Sequence, residues 1–383
     1  GIARFEARVR SRLDLGRPPA TAVGPVRIRL GDVVIDDPDG GAFARAATVE
    51  GTLDLEGAFA GRFVVRDVRL EGADVVLARA SEGAPWNWER SLASLFGEDR
   101  GAAAASGPAP VVILEGVVVS NTRVVLRPGG ADVFEFLDVD ARLPVISISV
   151  PGTPPLFRLA ELTTTVVSPG FERRIEVAIS SALVRFPQDE VQFDVARVAV
   201  DGSRLLDAAG IWRPDAPGLG LEAALRAEAV SLADARVFVP ELPAEGTADF
   251  RLAIEPLPEG RTDLRFSDLV ARSGSSLVTG ALAFAVGGEA PTTLIEVDLG
   301  LDGVSIDLLE PLAGPLPYAG TVSGTVVGPA AALDFDLSAE LVARENGAPL
   351  RSRLTGRVSF GDAGFALVSL ESELQDVPLA ALR

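Results

Sequence analysis

Three carboxylates, Asp36, Asp37 and Asp39, stand close together in "DDPDGG", as they would in a calcium loop. Such a loop also needs a glutamate at its twelfth position, and residue 47 is alanine, so an acidic turn is the better reading. "GLGLEA", Gly218 to Ala223, spells the dinucleotide fingerprint G-x-G-x-x-A, which has to open a helix. Leu219, Leu221, Ala223 and Leu225 alternate instead as a strand does. Ser275 and Ser323 lie in "SGSS" and "VSGT", neither of which makes a nucleophile elbow. The chain has no His and no Cys, and every one of its 35 basic residues is Arg. The usual general base, the thiolate nucleophile, the Cys-ligated metal and the Schiff-base lysine are therefore missing together. A pair of carboxylates cleaving a glycoside is the chemistry left over. Most Asp and Glu, however, fall on the solvent-facing parity of strands, where charge is the default. We expect no catalytic residue, no metal site and no cofactor.

The balance of charge narrows the partners. Against those 35 arginines stand 54 acidic residues, a net charge of −19, which argues against nucleic acid, whose binding depends on neutralising phosphates. Apolar residues make up 48% of the chain, yet no run approaches the roughly 18 apolar residues of a membrane-spanning helix. The apolarity is spread over many short elements, which calls for a very large buried face or an exposed apolar one. The chain begins at Gly1 and contains no Met, and we expect a fragment or processed product whose N-terminus lies upstream.

Those elements are mostly strands. Phe5, Val9 and Leu13 in "ARFEARVRSRLDL" are spaced by four and predict a short N-terminal helix. After "GRPPATAVGP" the period becomes two, as in Ile175, Val177 and Ile179, or Leu333, Phe335 and Leu337. Gly, Pro, Asn and Asp punctuate these runs as hairpins punctuate an antiparallel meander. Only "WNWERSLASLF", giving a helix near 88–96, and "SIDLLEPL" look briefly helical, while "GAAAASGPAP" reads as a flexible insertion.

One unit recurs after 49 residues: "LEGADVVLAR" from Leu70 and "VVSNTRVVLR" from Val118. Two-residue turns at Glu71–Gly72 and Ser120–Asn121 would make each a hairpin, with Leu70 paired to Ala73. Val68, Leu70, Val75 and Leu77 then share a face, and so do Val117, Val119, Val124 and Leu126. Phe63, Val65, Val112 and Leu114 have the opposite parity, and bulges near Arg66–Asp67 and Glu115–Gly116 would bring them to the same side. We take these twelve residues as the lining of an apolar groove, and Trp86 and Trp88 as its end or a membrane-proximal contact. The fold class expected is mainly β: a long antiparallel meander curled into an elongated open groove, with a short N-terminal helix and one or two others. Strands of seven to ten residues would number some 25 to 30 at about 4.8 Å spacing.

Three stretches resemble the AsmA-like and TamB-like envelope proteins of double-membrane bacteria. They are "VRIRLGDVVIDDPDGGAFARAATVEGTLDL" with the following "GRFVVRDVRLEGADVVLARASEGAPWNW", whose end carries Gly83, Asn87 and Trp88; "VVILEGVVVSNTRVVLR" with "FEFLDVDARL"; and "LLEPLAGPLPYAGTVSGTVVG". The resemblance implies a periplasmic β-groove anchored in the inner membrane by a segment upstream of Gly1. That groove would carry phospholipid between inner and outer membranes, in support of outer-membrane biogenesis. An outer-membrane barrel protein would be a further partner. It also implies an organisation of N-terminal helix and linker (1–20), first groove units (21–145) and repetitive continuation (146–383). The alternatives are an assembly factor for outer-membrane proteins and a structural or adhesive β-protein with a sealed core.

Overall fold

The computed structural model describes residues 7–9, 25–36, 42–59, 61–81, 84, 86–87, 111–127, 133–149, 154–168, 174–187, 190–213, 216–217, 219–236, 242–288, 292–310, 316–361 and 364–375. The chain separates into two compact units, 1–201 with 211–215 and 202–210 with 216–383. The boundary expected at 145/146 falls inside a strand, Phe134–Ser149.

In the first unit the strands are β1 (Ala7–Val9), β2 (Val26–Asp36), β3 (Ala42–Leu53), β4 (Arg62–Ala78), β5 (Val111–Arg127), β6 (Phe134–Ser149), β7 (Leu156–Val167), β8 (Ile175–Arg185) and β9 (Val191–Val200). A single helical turn and a half, α1 (Leu55–Phe59), follows β3. The second unit opens on β10 (Ser203–Trp212) and continues through β11 (Leu221–Ser231), β12 (Thr247–Pro256), β13 (Arg261–Ser273), β14 (Ser276–Gly287), β15 (Thr293–Ser305), β16 (Tyr318–Pro329), β17 (Leu333–Ala343), β18 (Pro349–Gly361) and β19 (Gly364–Gln375). One short helix, α2 (Leu232–Ala235), and three 3-10 turns connect them.

Strands pair with their neighbours in the chain. From β2 to β9 every pair but one is antiparallel, and from β11 to β19 all are. Among the described residues no pairing closes either unit into a barrel, so each is an open sheet, and the chain is mainly β as the alternation predicts.

Three local expectations turn out differently. Within the segment predicted as the N-terminal helix, Ala7–Val9 is a strand lying antiparallel to Val33–Ile35 of β2. A three-turn helix with nothing to pack on is marginal in water, whereas a strand edge offers unpaired N–H and C=O groups. The rest of that segment, and the helix near 88–96, lie outside the described residues. "SIDLLEPL" does form a 3-10 turn at Ile306–Leu309, with the Ser305 hydroxyl accepting from the Asp307 N–H at 3.3 Å.

The third difference is larger. The 49-residue repeat is not two hairpins but two 17-residue strands, β4 and β5, lying side by side and parallel. Their register repeats the spacing: Phe63 stands beside Val112, Val65 beside Leu114, Leu70 beside Val119, Val75 beside Val124 and Leu77 beside Leu126. Gly72 and Asn121 have the positive φ of a hairpin turn, 61° and 49°, but the chain runs straight on through them. They act as bulges that exchange the two faces. Asp67 (φ 52°) and Gly116 (φ 62°) do the same five residues earlier, where the bulges were expected. Each predicted hairpin is thus one long strand, and the described residues hold nineteen strands instead of 25 to 30. Arg66 to Glu115 at 3.0 Å and Arg123 to Asp74 at 3.4 Å tie the two copies together on the polar face.

Asn87 completes the end of β4. The register of β3 with β4 stops at Ala44–Val75, which leaves the next backbone groups of β4 without a strand partner on that side. The Asn87 carboxamide replaces it, its Oδ1 accepting from the Ala78 N–H at 3.0 Å and its Nδ2 donating to the Val76 C=O at 2.7 Å. The side chain is 2% exposed and does the work of a peptide group in the missing strand. Asn87→Leu should orphan both groups and cost about 2–4 kcal/mol, at 1–3 per unsatisfied buried group. Urea unfolding checks this, with faster exchange of the Ala78 amide as the local signature; an unchanged midpoint would refute it.

The core is thin. Most fully shielded apolar side chains are Ala or Val, and the largest below 2% exposure are Val125 and Thr262. A sheet packed beneath a second layer would bury Leu, Ile and Phe in number.

Candidate functional site: an apolar face

Bulges acting in phase bring the apolar residues of successive strands into transverse rows. Pair by pair, the register across β2 to β9 reads Val26, Leu53, Val65, Leu114, Ile146, Phe157, Val184 and Phe193. A second row reads Leu30, Val49, Leu70, Val119, Ala141, Leu162, Ile179 and Val198. A third reads Ile35, Ala44, Val75, Val124, Phe136, Val166 and Ile175. Residues in register share a face, so each eight-strand row is a continuous apolar band of about 34 Å at 4.8 Å per strand.

Ten of the twelve residues assigned to the groove are register partners in five rungs of the β4–β5 pair, and Val68 and Val117 carry the same 49-residue offset. Gly51 confirms that the bulge at Asp67 works as expected, since a Cβ on it would meet Val65 at 2.8 Å and Val68 at 3.6 Å. Leu70 and Val75 pack on a small cluster of Val33, Ala46 and Ala73. Sequence reasoning missed the β2, β3 and β6 to β9 members of these rows as lining residues. Their alternation was visible, but only the register shows which of them extend the same band.

Burial is informative. All eight members of the Val26 row are half-buried, neither shielded nor fully exposed. In-sheet neighbours shield the flanks of each side chain, and its tip remains accessible. Phe63, at the end of β4, is 41% exposed. The opposite face is polar, with Arg29 on Glu50 at 3.0 Å and Arg123 on Glu135 at 3.1 Å. Hydrogen bonding to Glu135, assisted by Asp74, raises the Arg123 pKa above its ordinary value. Two apolar residues on that polar face are nevertheless buried: Val64 at 5%, beside α1, and Val125 at 1%. Trp86 is half-buried with the Arg79 guanidinium 5.2 Å from its ring centre, a cation–π contact; Trp88 lies outside the described residues.

The second unit repeats the arrangement. Leu225, Leu252, Phe266, Leu282 and Val297 are in register across β11 to β15. Phe250, Phe266 and Phe284 stand edge to face at 5.2 and 6.5 Å between ring centres. The residues weighed for catalysis are structural. Leu221 opens strand β11, Ser275 sits in a turn, and the Ser323 hydroxyl accepts from the Gly303 N–H at 2.9 Å. Among the described residues no three Asp or Glu side chains are grouped to hold a metal. Residues 37–41, which include Asp37 and Asp39, lie outside them.

Fold and site together define an open-sheeted β-protein with an accessible apolar face. No family model, curated protein or solved structure matches the chain.

Proposed function

We propose that the chain is a periplasmic groove protein that shelters phospholipid acyl chains against its apolar face and carries them between inner and outer membranes. The supporting observation is the pair of eight-strand rows, apolar at every position and half-buried throughout. Each CH₂ moved from water onto such a wall contributes about 0.8 kcal/mol, and aliphatic side chains supply it without polar contacts that would hold a lipid in one place. The envelope location, the membrane anchor and the barrel partner rest on the family resemblance. In this reading the protein works by binding alone, with no catalytic step.

The test is mass spectrometry of co-purified lipid, with photo-crosslinkers at Val68 and Val124 on the apolar face and at Arg69 and Arg123 on the polar one. Arg123 is a better polar-face position than Val125, which is only 1% exposed. Phospholipid adducts from the first pair alone are expected. Adducts from the polar pair alone, or from neither, would refute the proposal and favour a sealed core.

A further inference from the structure

Two strands carry free edges. Among the described residues nothing pairs with β2 between Val26 and Gly31, since β1 takes only Val33–Ile35, and nothing pairs with β19 on the side away from β18. The β19 edge is apolar, with Leu367, Val368 and Leu370 exposed at 52%, 60% and 50%. A long apolar edge is a template for another strand unless something covers it.

The polar face near β19 states what that strand should carry. Asp334, Asp336 and Glu340 on β17 meet Arg357, Arg353 and Arg351 on β18 at 2.7, 2.8 and 3.6 Å. β19 follows with Glu371 and Glu373, neither of them in an ion pair among the described residues. Acid, base, acid calls next for a strand with basic residues two apart, apolar residues between them and a free edge. β2 answers this description. Arg27 and Arg29, 74% and 69% exposed, share the single carboxylate of Glu50 and alternate with Val26, Ile28 and Leu30.

We propose that β19 of one copy pairs with β2 of a second copy, Glu371 beside Arg27 and Glu373 beside Arg29, joining chains head to tail. The strands run parallel, as β4 and β5 do. Ala343, on the apolar face of β17, sends its N–H to Ala348 on the β18 side. Val76 and Ala78, on the polar face of β4, turn their backbone groups to Asn87 on the β3 side, so its apolar-face residues turn theirs toward β5. Both strands therefore have the same hand. β2 shares the direction of β4 and β19 that of β17, so apolar faces match only in a parallel pair. Val26 then falls beside Leu370 and Ile28 beside Ser372. Because the two edges differ, the contact is heterologous and can propagate. It holds whatever covers the apolar face.

Sedimentation velocity over rising concentration tests this. The wild-type chain should grow beyond the mass of two copies, less so at high salt. Glu371→Arg with Glu373→Arg, and separately Arg27→Glu with Arg29→Glu, should each stay monomeric with an unchanged circular dichroism spectrum. An equimolar mixture of the two variants retains one native edge from each, and should form dimers and nothing larger. All four reversals in one chain should restore growth. Because the chain has no Cys, Ile28→Cys on one molecule and Ser372→Cys on another should yield a covalent dimer with a short thiol crosslinker. A wild-type protein monomeric throughout, charge-reversed variants that associate normally, a mixture that stays monomeric, or a crosslink only within single chains bearing both cysteines would each overturn the proposal.

Discussion

Replacing Gly324 by valine is expected to remove roughly 2–6 kcal/mol of stability, combining the ranges for a strained backbone and an overpacked site. Domains are stable by only about 5–15 kcal/mol, so the second unit would be close to unfolding. Gly324 lies in β16 at φ +143°, a conformation closed to L side chains, and a Cβ there would fall 2.0 Å from the Asp336 carbonyl oxygen on β17. Gly320 repeats the situation at φ +138° and 2.1 Å from the Glu340 oxygen. These are two glycines of the phrase "LLEPLAGPLPYAGTVSGTVVG", and close backbone approach is the physical reason for them. Gly347→Ala is the control, because its φ is +69° with nothing within 4 Å of the added carbon, so only about 1 kcal/mol of backbone preference is at stake. Equal losses at the two positions in urea titrations would show that close approach is not what Gly324 provides.

The second large effect concerns lipid. Leu70→Asp with Val119→Asp puts two carboxylates side by side in the middle of an eight-strand row. A charge set against hydrocarbon costs several kcal/mol, and each 1.4 kcal/mol is tenfold in affinity, so co-purified phospholipid should fall about tenfold or more. The matching change one residue away is a close control. Arg69 and Val118 are also register partners, on the polar face, where Val118 is already 39% exposed. Arg69→Asp with Val118→Asp should leave the lipid content unchanged. Equal loss from both pairs would mean that the apolar face is not the binding surface, and equal retention would mean that lipid is held elsewhere or not at all.

The groove residues were legible because a strand's side chains alternate whatever the strand pairs with. Val68 and Leu70 sort from Arg69 by parity alone, and the bulge at Asp67 is implied by the change of parity between Val65 and Val68. The role of Asn87 was not legible. A carboxamide that stands in for a strand can be recognised only once β3 is seen to end beside Val75.

By itself, then, the sequence determined that this protein is built of strands, which residues along β4 and β5 share an apolar face, and where that face is exchanged. Those properties follow from period two and from which residues tolerate positive φ, and both act within a few positions along the chain. Only the tertiary structure decided that Gly72 and Asn121 are bulges and not turns. The local conformation is the same in either case, φ 61° and 49°. What distinguishes them is whether the backbone groups that follow pair with the same strand folded back or with a strand 49 residues away, and in β4 and β5 they find the latter. The transverse rows were decided in the same way, because register is a relation between strands and no single strand carries it.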